Sequence, residues 1–81
     1  NLDAEIQQQE STIRAITDDQ ARIRENMRQL DRNSELYRQY VQKLTQQERE
    51  IEEARRAVQR LREQKARAQR ELNEYVAGLN L

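Results

Sequence analysis

Asp31-Arg32-Asn33-Ser34 is the one place in this 81-residue chain where two long helical patterns stop and restart. Asn33 tolerates the left-handed conformation that ends a helix, and Ser34 is a good N-cap with Glu35 just inside the next one. The helix dipole favours a carboxylate at that position. Read outward from this break, the apolar residues mirror each other. The expected fold is all-α, an antiparallel two-helix coiled-coil hairpin with helices over 3–31 and 35–77, a turn at 31–34 and the second helix longer.

Toward the N-terminus the stripe runs Leu2, Ile6, Gln9, Ile13, Ile16, Gln20, Ile23, Met27, Leu30, in steps of three and four. A repeat of 3.5 residues held this long predicts a partner helix and a left-handed supercoil. Toward the C-terminus it runs Tyr37, Tyr40, Leu44, Gln47, Ile51, Ala54, Val58, Leu61, Lys65, Ala68, Leu72, Tyr75, Leu79. The flanking residues are mostly polar, so the stripe is narrow and suits one partner. The single glycine, Gly78, reads as the C-terminal cap of the second helix, and no proline interrupts either one.

A turn centred between 33 and 34 pairs residues whose numbers add to about 67. Leu30 then faces Tyr37, Met27 faces Tyr40, Ile23 faces Leu44, and so on out to Leu2 facing Lys65. Each layer joins an a position to a d position, as antiparallel packing requires. The two polar core residues, Gln20 and Gln47, fall in one layer, where two amides can hydrogen-bond. Opposite an apolar residue each would cost roughly 1–3 kcal/mol, so the pair is expected to set the register. Replacing Gln20 by leucine should then strand Gln47. If the second helix paired with its own copy instead, that change would barely disturb the register.

Charge points the same way. Residues 1–20 carry a net −4 (Asp3, Glu5, Glu10, Asp18, Asp19 against Arg14). Residues 55–70 carry +6 (Arg55, Arg56, Arg60, Arg62, Lys65, Arg67, Arg70 against Glu63). The hairpin lays much of these segments side by side, with Glu10–Arg55 and Asp3–Arg62 as expected flanking pairs. Asp19 near Glu50 is a mild misfit.

Composition narrows the function classes. Charged residues make up 37% and hydrophobic residues 35%, and the fifteen cations cancel the fifteen anions. A neutral chain has no global field to gather nucleic acid or anionic lipid. No His and no Cys are present, which removes the usual bases, nucleophiles and zinc ligands. Acidic pairs such as Glu48 with Glu52 and Glu50 with Glu53 lack the Glu-x-x-His spacing of a di-metal bundle and read as a solvated face. No catalytic, cofactor or metal residue is expected, and no apolar run is long enough to cross a membrane. The cysteine-free chain leaves its compartment open, and its start at Asn1 reads as a fragment of a larger protein.

Two surfaces remain. Beyond Lys65 the stripe Ala68, Leu72, Tyr75, Val76, Leu79 has no partner in the first helix, and an exposed stripe of this kind marks an interface, filled either by more helix before Asn1 in the parent protein or by a second hairpin meeting it through this end. Near the turn, Leu36 and Val41 widen the patch around Tyr37 and Tyr40. These rings are expected to seal the loop end of the seam with their hydroxyls wet; a docking tip is the other reading.

The stretch Asp19-Gln20-Ala21-Arg22-Ile23-Arg24-Glu25-Asn26-Met27, with Asn33-Ser34-Glu35-Leu36-Tyr37-Arg38-Gln39-Tyr40-Val41-Gln42-Lys43-Leu44 and Gln47-Glu48, resembles part of a bacterial family of uncharacterised proteins. There a β-rich domain accompanies a long coiled-coil hairpin, with an RIREN helix, a short turn and a YxxYxxKL…QE helix in this order. The likeness spans about residues 18–53. It implies a structural segment of a larger bacterial protein and carries over no catalytic residue. The expected function is a non-enzymatic spacer or protein-interaction arm. Its partner would be its parent domain or a second copy, giving a homodimer through the overhanging end. The alternative is a nucleic-acid-associated arm using the basic segment 55–70.

Overall fold

Asn1 starts the first helix by accepting a hydrogen bond from the Ala4 amide on Oδ1, at 2.8 Å. That satisfies one of the four donors a helix start leaves free, and Asp3 and Glu5 add favourable charge in the first turn. In the computed structural model, which describes residues 1–79, helix α1 runs Leu2–Met27 and helix α2 runs Glu35–Leu79. The two pack along each other as an antiparallel all-α hairpin, with α2 the longer by far. The molecule is a rod of 73 × 15 × 14 Å. Its length is close to the roughly 68 Å that a 45-residue helix spans at about 1.5 Å per residue.

The heptad decides what is covered. In α1 and α2, every described residue that is not exposed occupies a core position, apart from Glu10, Asp19 and Ala57, which flank the seam. Ile6, Ile23, Ile51 and Ala54 form the buried apolar core, with Gln20 and Gln47 buried among them. A two-helix seam covers each side chain from one direction only, so most other core residues are half-buried.

Helix α1 ends at Met27, four residues before the expected limit of 31. Arg28 keeps right-handed dihedrals (φ −59°, ψ −27°), and the chain tightens: the Gln29 amide bonds Asn26 O and the Leu30 amide bonds Met27 O. These are three-residue closures, the usual way of tightening a last turn. The connection is therefore 28–34 instead of 31–34, long enough to cross the roughly 8–10 Å between two packed helix axes.

Nor does Asn33 end the helix in a left-handed conformation, since no described residue has positive φ. The work falls to Asp31, whose Oδ1 accepts from the Asn33 amide at 2.8 Å while its carbonyl accepts from Ser34 N at 3.0 Å and Ser34 Oγ–H at 2.7 Å. An aspartate that bonds the backbone two residues on offers an alternative to continuing the helix. Ser34 Oγ then accepts from the Tyr37 amide at 3.1 Å, an N-cap bond to the third residue of α2.

At the other end α2 passes through Ala77 and Gly78 to Leu79. Gly78 is helical, so it does not cap the helix. A glycine costs about 1 kcal/mol inside a helix but imposes no stop, and nothing lies within 4 Å of Gly78 to demand one.

Cross-helix contacts fix the register. Gln20–Glu48, Asp19–Gln47, Asn26–Tyr40 and Asp3–Lys65 all join residues whose numbers add to 66–68. Two flanking ion pairs follow another rule. Glu10 pairs with Arg62 at 3.3 Å instead of Arg55, and Arg24 lies 3.9 Å from Glu48; both sets of numbers add to 72. Side chains on a helix lean toward its own N-terminus. Across an antiparallel seam, two leaning side chains meet only if their Cα atoms have already passed each other, which shifts the match by about five residues. Asp3 also departs from the expected Arg62, but it takes Lys65, at 2.7 Å, and so stays in the facing register. Lys65, expected in the core opposite Leu2, is exposed with its ammonium drawn out to that carboxylate.

Candidate functional site

Mid-seam, Gln20 and Gln47 are each 3% exposed. They do not bond each other. Gln20 Nε2 donates to Glu48 Oε1 at 3.0 Å, and Gln47 Nε2 donates to Asp19 Oδ2 at 2.7 Å. Each amide reaches diagonally to the acid beside the opposite amide, because a charged acceptor bonds more strongly than a neutral one. Gln47 Oε1 is left buried without a partner. The signal for this arrangement lies in the mirrored pairs Asp19-Gln20 and Gln47-Glu48, which put an acid next to each amide in opposite chain order.

Asp19 also accepts from Arg22, at 3.0 Å from Nε and 2.8 Å from a terminal guanidinium nitrogen, instead of confronting Glu50. The Arg22 bonds first, then the Gln47 bond, hold its carboxyl below the usual 3.8, while partial burial opposes them. A carboxylate with a lowered folded-state pKa stabilises the fold fully above its unfolded value. That contribution disappears as pH falls through the folded value. Thermal melts of wild type and Asp19→Asn should therefore differ at pH 7 and converge as the pH drops below about 4. A difference that persists unchanged at pH 2 would mean the charge of Asp19 contributes nothing.

The basic segment 55–70 is partly answered by acids. Arg56 pairs with Glu52 at 3.3 Å, and Arg62 and Lys65 take Glu10 and Asp3. Helical spacing puts Arg56, Arg60, Arg67 and Arg70 on the face away from α1, with Glu63 in their midst. No aromatic residue interleaves them for bases to stack on.

At the turn, Tyr37 and Tyr40 are half-buried, and the Tyr40 hydroxyl accepts from Asn26 Nδ2 at 3.4 Å. Leu36 and Val41 stay exposed, one on each side of the seam. A shallow open groove beside them has Met27, Leu30, Tyr37 and Leu44 on its floor and Arg24, Arg28 and Arg32 at its rim.

Among the described residues, most of the exposed large apolar side chains lie at the opposite end. From Arg62 to Leu79 every residue is exposed. Leu72 is 55% exposed, Tyr75 66%, Val76 48% and Leu79 67%, and Ala68 lies in line with them. These residues continue the heptad of the seam past the point where α1 stops covering it. Helices need tertiary burial of an amphipathic face for most of their stability, and this segment has none within the chain.

Among the described residues no group of three acidic side chains could hold a metal ion, and no helix is long and apolar enough to cross a membrane. No family model, no curated protein and no solved structure matches the chain.

Proposed function

We propose that the chain is a non-enzymatic spacer and protein-interaction arm, with the Ala68-to-Leu79 stripe as its docking surface. One observation carries this reading: core-type residues at unbroken heptad spacing stand uncovered beyond the end of α1. A helix face patterned for burial costs solubility unless something covers it. The bound half of the rod holds the stripe out from the turn, and the crossed Gln20 and Gln47 layer serves to hold the two helices in one register. The resemblance over residues 18–53 is in keeping with reading such an arm as a segment of a larger bacterial protein.

The test separates a docking surface from a hidden part of the hairpin's own core. The triple variant Leu72→Ser/Tyr75→Ser/Leu79→Ser should melt with the same midpoint as wild type at about 5 µM, where intermolecular contacts are negligible. A midpoint lowered by more than about 5 °C, equivalent to roughly 1 kcal/mol for a domain of this size, would show that the stripe supports the hairpin itself. The docking reading would then fail.

A further inference from the structure

We infer that the open groove at the turn end of the hairpin binds an acidic amphipathic helix of another protein. Its leucine-type stripe would lie on Met27, Leu30, Tyr37 and Leu44, and its carboxylates would meet Arg24, Arg28 and Arg32. This surface is separate from the Ala68-to-Leu79 stripe and does not depend on what covers that stripe.

The groove exists because the seam runs out of matched side chains at this end. On the flank where Glu10 meets Arg62 and Arg24 approaches Glu48, side chains match when their numbers add to 72. The next such match toward the turn is Asp31 with Val41. Asp31 gives its carboxylate to the Asn33 amide at 2.8 Å to shape the connection, and Val41 is left 43% exposed. Below it, Met27, Leu30, Tyr37 and Leu44 are half-buried on the floor of a groove of about 490 Å³. Tyr37 and Leu44 stand one heptad apart, roughly 10 Å along α2, which is the distance two turns of a docked helix cover. A helix that inserts side chains at i, i+3 or i+4 and i+7 matches this floor.

Charge selects the sign of that helix. The chain is neutral, yet residues 22–44 carry a net +3, six cations against Glu25, Asp31 and Glu35. Those acids are engaged: Glu35 pairs with Arg38 at 3.6 Å, Asp31 bonds the turn, and Glu25 pairs with Arg28 at 3.0 Å. The Arg28 side chain is 77% exposed, where such a pair is worth little and yields to a better-placed acid. Glu48 Oε1 lies 3.9 Å from Arg24 and already accepts from Gln20 at 3.0 Å. Among the described residues Arg32 makes no ion pair. Three guanidiniums around an apolar floor attract carboxylates that flank an apolar stripe, and they repel a basic helix. Arg24 and Arg28 are one turn apart, about 6 Å, the spacing of glutamates at i and i+4 on a partner helix. A nucleic acid fits less well, because the half-buried rings offer no open face for its bases. So does a lipid surface: Leu36, the other exposed apolar residue of the tip, lies on the opposite flank, which leaves no single apolar face to insert.

Four floor residues and three rim charges make a small contact, so the complex should be weak and fast-exchanging. The probe is a synthetic helical peptide with leucine at heptad a and d positions and glutamate at e and g, which keeps it from pairing with itself. Two control peptides carry glutamine for each glutamate or serine for each leucine. Titrated to about 1 mM at low salt into the isotope-labelled 81-residue chain, the probe should shift amide resonances within residues 24–44 of both helices. Arg28→Glu/Arg32→Glu should weaken binding about tenfold or more, and Val41→Glu, which sets a carboxylate beside the groove, should act likewise. All three positions are exposed, so melting midpoints should stay near wild type; if one variant fails to fold, the other decides. The triple serine variant of the stripe should bind the probe as wild type does. No shift at the highest concentration, shifts centred on residues 55–70, or equal affinity for the glutamine control would overturn the acidic helix as ligand. A serine control that binds as tightly as the leucine peptide would reduce the contact to charge and overturn the groove. Uptake of the chain by vesicles rich in phosphatidylserine, with no response to the peptide, would give the tip to a membrane surface instead.

Discussion

Replacing Ile23 by alanine should cost the hairpin about 2–4 kcal/mol, the usual range for truncating a fully buried aliphatic side chain. Among the described residues Ile23 is the most completely covered, at 1% exposure, and only three other apolar residues, Ile6, Ile51 and Ala54, are buried. It sits next to the Gln20 layer, one heptad step nearer the turn. Removing it takes out the apolar contact that shields the two amides on that side. A seam two helices wide can admit water or close partly over the gap, which keeps the loss below the largest values seen in globular cores. A fold this small has little stability in reserve, so the variant should be substantially unfolded at 25 °C. Circular dichroism at 222 nm through a thermal melt reads the result. A midpoint within a degree of wild type would mean that the seam is not what holds the helices together.

Converting the polar layer to leucine should act in the opposite direction. Gln20→Leu/Gln47→Leu removes the orphaned Gln47 Oε1 and the desolvation of two amides. The two lost bonds end on Asp19 and Glu48, whose carboxylates lie at the edge of the seam and can turn to water. The expected gain is about 1–3 kcal/mol, or roughly 4–8 °C in melting midpoint per kcal/mol. The gain should come with loss of register discipline, visible as mixed oligomers by sedimentation, since an all-apolar seam accepts several alignments. Most of it should appear with Gln47→Leu alone, because the unpaired acceptor belongs to that residue. Gln20→Leu by itself no longer strands Gln47, whose amide bonds Asp19, so its effect is smaller than amide-to-amide pairing implied. A double variant less stable than wild type by more than about 1 kcal/mol would show that the carboxylate bonds outweigh the burial of the amides.

The sequence by itself pointed to two helices, to their antiparallel pairing and, Lys65 excepted, to the residues that line the seam. These follow from spacing, because a 3.5-residue repeat has one inward stripe and the two stripes mirror each other about Asp31; that the second helix folds back on the first, and does not pair with its own copy, is given by the structure. The sequence also marked the uncovered stripe from Ala68 to Leu79, since the two patterns differ in length. Tertiary structure alone decided the points that depend on side-chain reach. Helix α1 stops at Met27, not 31, because its last turn tightens into three-residue closures and Asp31 supplies competing bonds that no breaker residue announces. Gln20 and Gln47 share a layer yet choose carboxylates over each other, a choice between two acceptors within reach of one amide. Glu10 takes Arg62 because long side chains lean along their helices, so the pairing follows where the charged ends arrive and not which Cα atoms stand opposite.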